Sequence, residues 1–206
     1  MSKMFGDRFA TRAAKYPAAL MISPKLLHMP VLIQRYDDPF LPFSKAIIGA
    51  TRDLVCAYLF DFAAYFSIGA AGVIAMERAI AYVIGAGDDR PLVILHVPIA
   101  SNAYVPAVSE TALAVDAVTV SDAEFASVYD AALNGGVFIM NDMKAGKGRF
   151  DIQGRRLEYP FGGQIIEVSV LGDEAVYADQ RDTFPDGVRA FVQNAVWGTD
   201  KKAPTS

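Results

Sequence analysis

The sequence lacks the residues that mark several classes of protein. It contains one cysteine, Cys56, so neither an internal disulfide nor a cysteine-based metal site can form. Cys56 lies in the apolar run LVCAYLF, which favours a buried side chain. Of the two histidines, His28 has no partner spaced like a metal ligand. We therefore expect neither a metal nor another cofactor.

Long apolar runs and clusters of basic residues are also missing. Only fifteen residues separate Asp61 from Glu77 in the most hydrophobic stretch, whereas a membrane-spanning helix needs about 20. The basic residues are scattered and the formal net charge is −4, which disfavours nucleic acid as a partner. The first residues have no apolar core typical of a signal peptide. These features predict a globular, cytoplasmic protein with no membrane or nucleic-acid partner.

Short apolar runs alternate with helical patterns over the first part of the chain. The strand candidates are ALMIS (19–23), LVCAYLF (54–60), LVILHV (92–97), VDAVTV (115–120) and VFIMN (137–141). Helical patterns of about ten to sixteen residues between strands indicate βαβ units and a parallel sheet. A closed eight-stranded β/α barrel takes about 250 residues, with about 200 near the lower limit. A chain of 206 residues is barely long enough.

The pattern changes after Met143. The segments RFDIQ, RRLEY, IIEVSVL and EAVYA are separated by glycine-containing turns, which is typical of β-hairpins. We predict an α/β fold of one domain, a TIM-barrel-like (β/α) structure that is incomplete or modified. Its parts are a barrel-like region (1–145), a hairpin-rich segment (146–183) and a C-terminal helix with a tail (184–206).

Several of these segments resemble a known family. They include FGDRF, ISPKLL, RPLVIL, DAVTVS and GGVFIMN. The most specific piece is a helix with the pattern G-x-A-G-x-x-x-x-E-R-x-I-x-Y, formed by Gly69, Ala71, Gly72, Glu77, Arg78, Ile80 and Tyr82. Over roughly residues 5–145 the sequence resembles the orotidine 5′-monophosphate decarboxylase family, and most closely its bacterial long-chain branch. The resemblance implies a divergent and truncated relative whose barrels dimerise through their strand-end faces.

The resemblance also implies a charged array that this sequence does not carry. In the family, an aspartate ends strand one, a lysine ends strand two, and an Asp-x-Lys-x-x-Asp set follows strand three. These residues destabilise the substrate carboxylate and protonate the carbanion. The matching positions are Ser23, Leu59, His96, Pro98 and Ser101. Because none of them supplies a carboxylate or an ammonium group, we expect no decarboxylation of orotidine 5′-monophosphate.

Polar residues at the predicted strand ends are candidates for a different site. The candidate catalytic residues are His96, Asp61 and Ser101. The candidate ligand-binding residues are Ser23, Asn102 and Asn141. A histidine there can be an acid or base, or a satisfied buried side chain. Asp61 can orient His96 or cap the next helix, and both asparagines can instead form turns.

Two classes of function fit these observations. The first is a non-decarboxylating binding or assembly subunit, forming a homo-oligomer or a complex with another protein, in which residues 149–177 pair with or cover the open side of the sheet. The second is an enzyme that acts on a small polar or phosphorylated metabolite with His96 as general acid or base. Polar groups converging on His96 around an open volume favour the enzyme. A barrel mouth filled by Leu59, Phe60 and Tyr104 favours the binding subunit.

Overall fold

The computed structural model describes residues 4–97, 101–111, 113–144 and 146–198, and within them a sheet closes into a barrel. Its strands are β1 (Ala18–Ile22), β2 (Ala57–Asp61), β3 (Leu92–His96), β4 (Ala117–Val120), β5 (Val137–Met140), β6 (Gly148–Asp151), β7 (Arg156–Phe161) and β8 (Gln164–Leu171). The helices are α1 (Phe5–Lys15), α2 (Val31–Gln34), α3 (Phe40–Thr51), α4 (Phe62–Phe66), α5 (Ala70–Ile84), α6 (Val105–Ser109), α7 (Ala123–Asp130), α8 (Asp173–Val176) and α9 (Phe184–Trp197). Two 3₁₀ turns span Leu26–His28 and Asn102–Tyr104.

The barrel is a mixed one. Strands β1 to β6 are parallel neighbours in chain order. Strand β7 runs antiparallel to both β6 and β8, and β8 returns parallel to β1. The five strands predicted from the alternating pattern are confirmed, and the hairpin-rich segment supplies the last three. The modified TIM-barrel-like fold is therefore confirmed.

Closure of the barrel corrects one expectation. We predicted that residues 149–177 would pair with or cover the open side of an incomplete sheet in a complex. They pair with it within their own chain, because they supply most of β6 and all of β7 and β8, and the sheet is therefore closed and not incomplete. A second correction concerns EAVYA (174–178), which contributes to α8 and not to a strand. The acidic Asp173 and Glu174 in its first turn favour a helix start.

Apolar side chains fill the barrel interior. Alternate residues of each strand point inward, among them Leu59, Ile94 and Val168, which are fully buried in one cluster. Helix α1 closes the end of the barrel at which the parallel strands begin, because Phe5 and Phe9 pack against aromatic rings from β5 and β7.

Cys56 belongs to this interior cluster and is buried, as its sequence context predicted. Burial raises the pKa of its thiol to about 12, so the thiol stays protonated and unreactive at neutral pH.

Charged residues hold the strands in place at two points. The carboxylate of Asp116 accepts hydrogen bonds from Arg8, Arg90 and the backbone N–H of Val93, which joins α1 to the starts of β3 and β4. Burial alone would raise the pKa of Asp116, but the hydrogen bonds and positive charges of these arginines hold that pKa below its ordinary value. On the outer face of the hairpins, Arg149 pairs with Glu158 across β6 and β7.

No helix within the described residues is both long and apolar enough to cross a membrane.

Candidate functional site

Four polar side chains lie at the carboxyl ends of consecutive strands and face the barrel interior. They are Ser23, which follows β1, together with Asp61, His96 and Thr119 on β2, β3 and β4. Inward and outward positions alternate along each strand, so each of the three strand residues continues a row of buried interior side chains. Functional groups collect at this end of a β/α barrel. We call these four residues the strand-end cluster.

Asp61 is fully engaged by hydrogen bonds. Its Oδ2 accepts a hydrogen bond of 3.0 Å from the Ser23 hydroxyl. Its Oδ1 accepts from the backbone N–H groups of Ala63 at 3.1 Å and Ala64 at 3.3 Å. Asp61 is therefore the N-cap of α4, which is one of the two uses expected for it. No hydrogen bond or ion pair joins Asp61 to His96 within the described residues, although the two are paired in the register of β2 and β3.

His96 is positioned by Thr119 and Phe150. Its Nδ1 lies 2.7 Å from the Thr119 hydroxyl, and its ring meets that of Phe150 edge-to-face, with 5.5 Å between the centroids. Burial lowers the pKa of the imidazole below 6.5, and the negative charge of Asp61 opposes that shift only in part. The imidazole is therefore neutral at neutral pH.

The other three sequence candidates make no hydrogen bond to the strand-end cluster within the described residues. The Ser101 hydroxyl accepts a hydrogen bond from Ala103 N–H and caps the Asn102–Tyr104 turn, in which Asn102 is exposed. Asn141 has a left-handed backbone, with φ of 56°, and its side chain accepts a hydrogen bond from Ile152 N–H. These are turn-forming uses. Pro98 lies outside the described residues.

Thr119 is the member of the cluster that sequence reasoning missed. A period of two along DAVTVS places Thr119 on the same face as Ala117, which lies in the barrel interior. It is a fully buried polar residue, and its partner, His96, lies directly opposite in the β3–β4 register. The alternating pattern could therefore have identified it.

Apolar side chains fill the barrel directly below the cluster. Leu59 is fully buried in the interior, two residues before Asp61. Phe60 points outward into the layer between sheet and helices, and Tyr104 is partly exposed outside the barrel. Of the three residues that we expected to fill the mouth, only Leu59 therefore does so.

The described residues include no group of three or more His, Cys, Asp or Glu side chains arranged to hold a metal ion. The chemistry that the strand-end cluster itself offers is proton exchange at a neutral imidazole and hydrogen bonding by two hydroxyls and one carboxylate.

Comparisons with known proteins agree with the resemblance noted in the sequence. No protein-family model matches the chain. The chain is 35% identical over 129 residues to an orotidine 5′-phosphate decarboxylase of Thermomicrobium roseum, which covers 56% of this chain and 42% of that protein. It is 32% identical over 130 residues to the corresponding enzyme of Herpetosiphon aurantiacus, covering 57% and 45%. The match thus spans less than half the length of these relatives.

Solved structures support the fold. A structure from Streptomyces avermitilis, provisionally described as an orotidine 5′-phosphate decarboxylase, superposes with a TM-score of 0.57 at 21% identity, over 68% of this chain and 54% of that one. The OMP decarboxylase of Leishmania donovani gives a TM-score of 0.51 at 19% identity, over 69% and 55%. The resemblance to these decarboxylases is therefore confirmed as partial and divergent.

Proposed function

We propose that this chain is a non-decarboxylating relative of the orotidine 5′-phosphate decarboxylases that works as a binding or assembly subunit. The observation that carries the proposal is the chemistry of the strand-end cluster. It contains one carboxylate, which already accepts three hydrogen bonds, and no ammonium group. Decarboxylation by a charged array needs carboxylates pressed against the substrate and a cation that donates a proton.

His96 does not replace the missing cation. Its lowered pKa keeps the imidazole neutral near pH 7, so it carries no positive charge to stabilise a carbanion. Leu59, at the position that resembles the family's lysine, is buried among apolar side chains. A lysine there would have to lose its hydration without a described carboxylate free to pair with it.

Exposed apolar side chains support an assembly role. Leu27 is 86% exposed, Val31 64% and Tyr36 54%, all in the segment that follows β1. Phe66, which is 57% exposed, follows β2 at the same end of the barrel. Apolar side chains grouped at one end of a soluble barrel are typical of a protein–protein interface.

An enzyme with different chemistry is the second candidate, and one observation favours it. A neutral imidazole at a strand end can accept a proton at Nε2 in the tautomer whose Nδ1–H donates to the Thr119 hydroxyl. The Nε2 atom makes no hydrogen bond within the described residues. The substrate of such an enzyme would be a small polar or phosphorylated metabolite.

The proposal is tested with orotidine 5′-monophosphate and uridine 5′-monophosphate. We expect the purified protein to release carbon dioxide from orotidine 5′-monophosphate no faster than its His96→Ala variant, and calorimetry to detect no micromolar binding of uridine 5′-monophosphate. The Leu59→Lys, Pro98→Lys double variant should remain inactive, since the aspartates are still missing. Carbon dioxide release above the His96→Ala level would refute the proposal.

A separate experiment tests whether the protein is an enzyme that uses His96. A panel of phosphorylated and polar metabolites is incubated with the protein, with His96→Gln and with His28→Gln. Turnover that His96→Gln abolishes and His28→Gln retains would establish the enzyme in place of the binding subunit.

A further inference from the structure

A cavity of about 230 Å³ lies outside the barrel, between the sheet and the helices that follow β2, β3 and β4. Its floor is the outer face of β3 and β4, where Leu95, Val97, Val118 and Val120 are all buried. Phe62 and Tyr104 line it as well, and both are partly exposed. The cavity therefore has an enclosed apolar floor and an aromatic rim that solvent can reach.

The length of α6 explains the cavity. Helices that follow parallel strands normally cover the apolar outer face of the sheet. Helix α6 has only five residues, and it contributes Ala107 and Val108 to the cavity wall. Such a short helix with a small side chain does not fill the space over two strands. An empty apolar cavity destabilises a fold in proportion to its volume, so an occupant would stabilise the protein.

The lining defines the chemistry of that occupant. Among the residues that the structure describes, no charged side chain lines the cavity. The Tyr129 hydroxyl in the lining already has a partner, because it donates a hydrogen bond to the Ser101 carbonyl. A ligand therefore gains little from a polar group and would lose the hydration of a charged one. Aromatic side chains in the wall can pack edge-to-face against a ring.

The volume of the cavity limits the size of the ligand. An apolar cavity of about 150 Å³ is known to admit benzene. Pockets for drug-sized ligands begin at about 300 Å³. A volume of about 230 Å³ lies between these values and fits one ring or two fused rings. We propose that this cavity binds a small uncharged aromatic molecule. The site lies outside the barrel, so it does not depend on the function proposed for the strand-end cluster.

Indole and toluene are the probes that test the proposal, with benzoate as the charged counterpart. We expect calorimetry to show saturable binding of one indole per chain, and indole at ten times its Kd to raise Tm by about 3 °C. Benzoate should bind at least tenfold more weakly. The Ala107→Leu variant fills the cavity and should weaken indole binding at least tenfold. The matched control, Ala103→Leu, changes an exposed alanine of the neighbouring 3₁₀ turn and should bind indole like the unmodified chain.

A second measurement needs no variant. Nuclear Overhauser contacts from bound indole should reach the methyl groups of Leu95, Val118 and Val120. The proposal is overturned if neither probe binds saturably up to its solubility, if bound indole lacks these contacts, or if Ala107→Leu folds and binds indole unchanged.

Discussion

His96 is the residue whose protonation state depends most directly on its burial. It sits at a strand end, where barrels place functional groups, yet its surroundings favour the neutral form. The Thr119 hydroxyl holds Nδ1 and Phe150 packs against the ring. The same arrangement serves a structural histidine and a general base, so the titration of His96 is worth measuring directly.

Protonation of His96 should lower the stability of the protein. Its pKa in the folded protein is below the ordinary value of 6.5, so the unfolded chain binds the proton more readily. The stabilising effect is complete above about pH 6.5 and is lost as pH falls through the lower folded-state pKa. We expect the free energy of unfolding, measured with urea, to fall over this interval in the unmodified protein and to fall less in His96→Gln.

The second histidine provides the control. In His28→Gln the remaining imidazole resonance belongs to His96, and its NMR titration midpoint should lie below 6.5. A midpoint at or above 6.5 would contradict this prediction.

At the scale of secondary-structure elements, Gly69 and Gly72 explain the glycine pattern at the junction of α4 and α5. Gly69 precedes α5 with φ of 73°, a left-handed conformation that side chains rarely adopt. A Cβ on Gly72 would lie 1.8 Å from the carbonyl oxygen of Tyr65, because α5 crosses the end of α4 closely. The two glycines of the G-x-A-G motif are therefore explained by backbone conformation at Gly69 and by helix packing at Gly72.

Replacing Gly72 by alanine should lower the free energy of unfolding more than replacing Gly69. Gly72→Ala places a methyl group against backbone that cannot rotate away, and we expect it to lower the free energy of unfolding by about 3 kcal/mol. Gly69→Ala meets no atom within 4 Å and imposes only the unfavourable backbone conformation, with φ of 73° and ψ of −147°, so its cost should be about 2 kcal/mol. Urea denaturation of both variants measures the difference. Equal losses of stability would show that backbone strain, and not the helix crossing, dominates.

At the scale of the whole molecule, hairpins replace the last β/α units of a regular barrel. Ion pairs such as Arg156–Glu167 make the outer face of these hairpins polar. Closure leaves no sheet edge among β1 to β8, so the argument for a dimer from open strand edges no longer applies. The remaining argument is the set of exposed apolar side chains in the segments that follow β1 and β2, which we call the apolar surface: Leu27, Val31, Leu32, Tyr36 and Phe66.

We predict that the chain forms a homodimer through this apolar surface. Light scattering should give a mass of twice the 22.2 kDa chain. The Leu27→Lys, Leu32→Lys double variant should be a monomer, because two desolvated lysines would oppose the interface. Ile165→Lys is the matched control, since Ile165 is 53% exposed on the hairpin face, and it should remain a dimer. A single-chain mass at all concentrations would rule the dimer out.

The sequence by itself determined the parts of this protein that depend on local pattern. Alternating apolar runs identified β1 to β5, and glycine-containing turns identified the hairpins. The identities of Ser23 and Leu59, at positions that the resemblance assigns to the family's charged array, already predicted a loss of charge there, because neither side chain is charged at neutral pH.

Only the tertiary structure decided which groups meet. Pairing of β8 with β1 joins segments about 150 residues apart, and no local period reports such a contact. The choice of Asp61 between capping α4 and orienting His96 depends on where α4 starts, and the Thr119 contact depends on the β3–β4 register. Ser101 and Asn141 resembled site residues by position, but their backbone turns use them locally. Sequence patterns determine where each strand lies and which of its side chains face inward. Closure of the barrel and the register of its strands determine which side chains become neighbours.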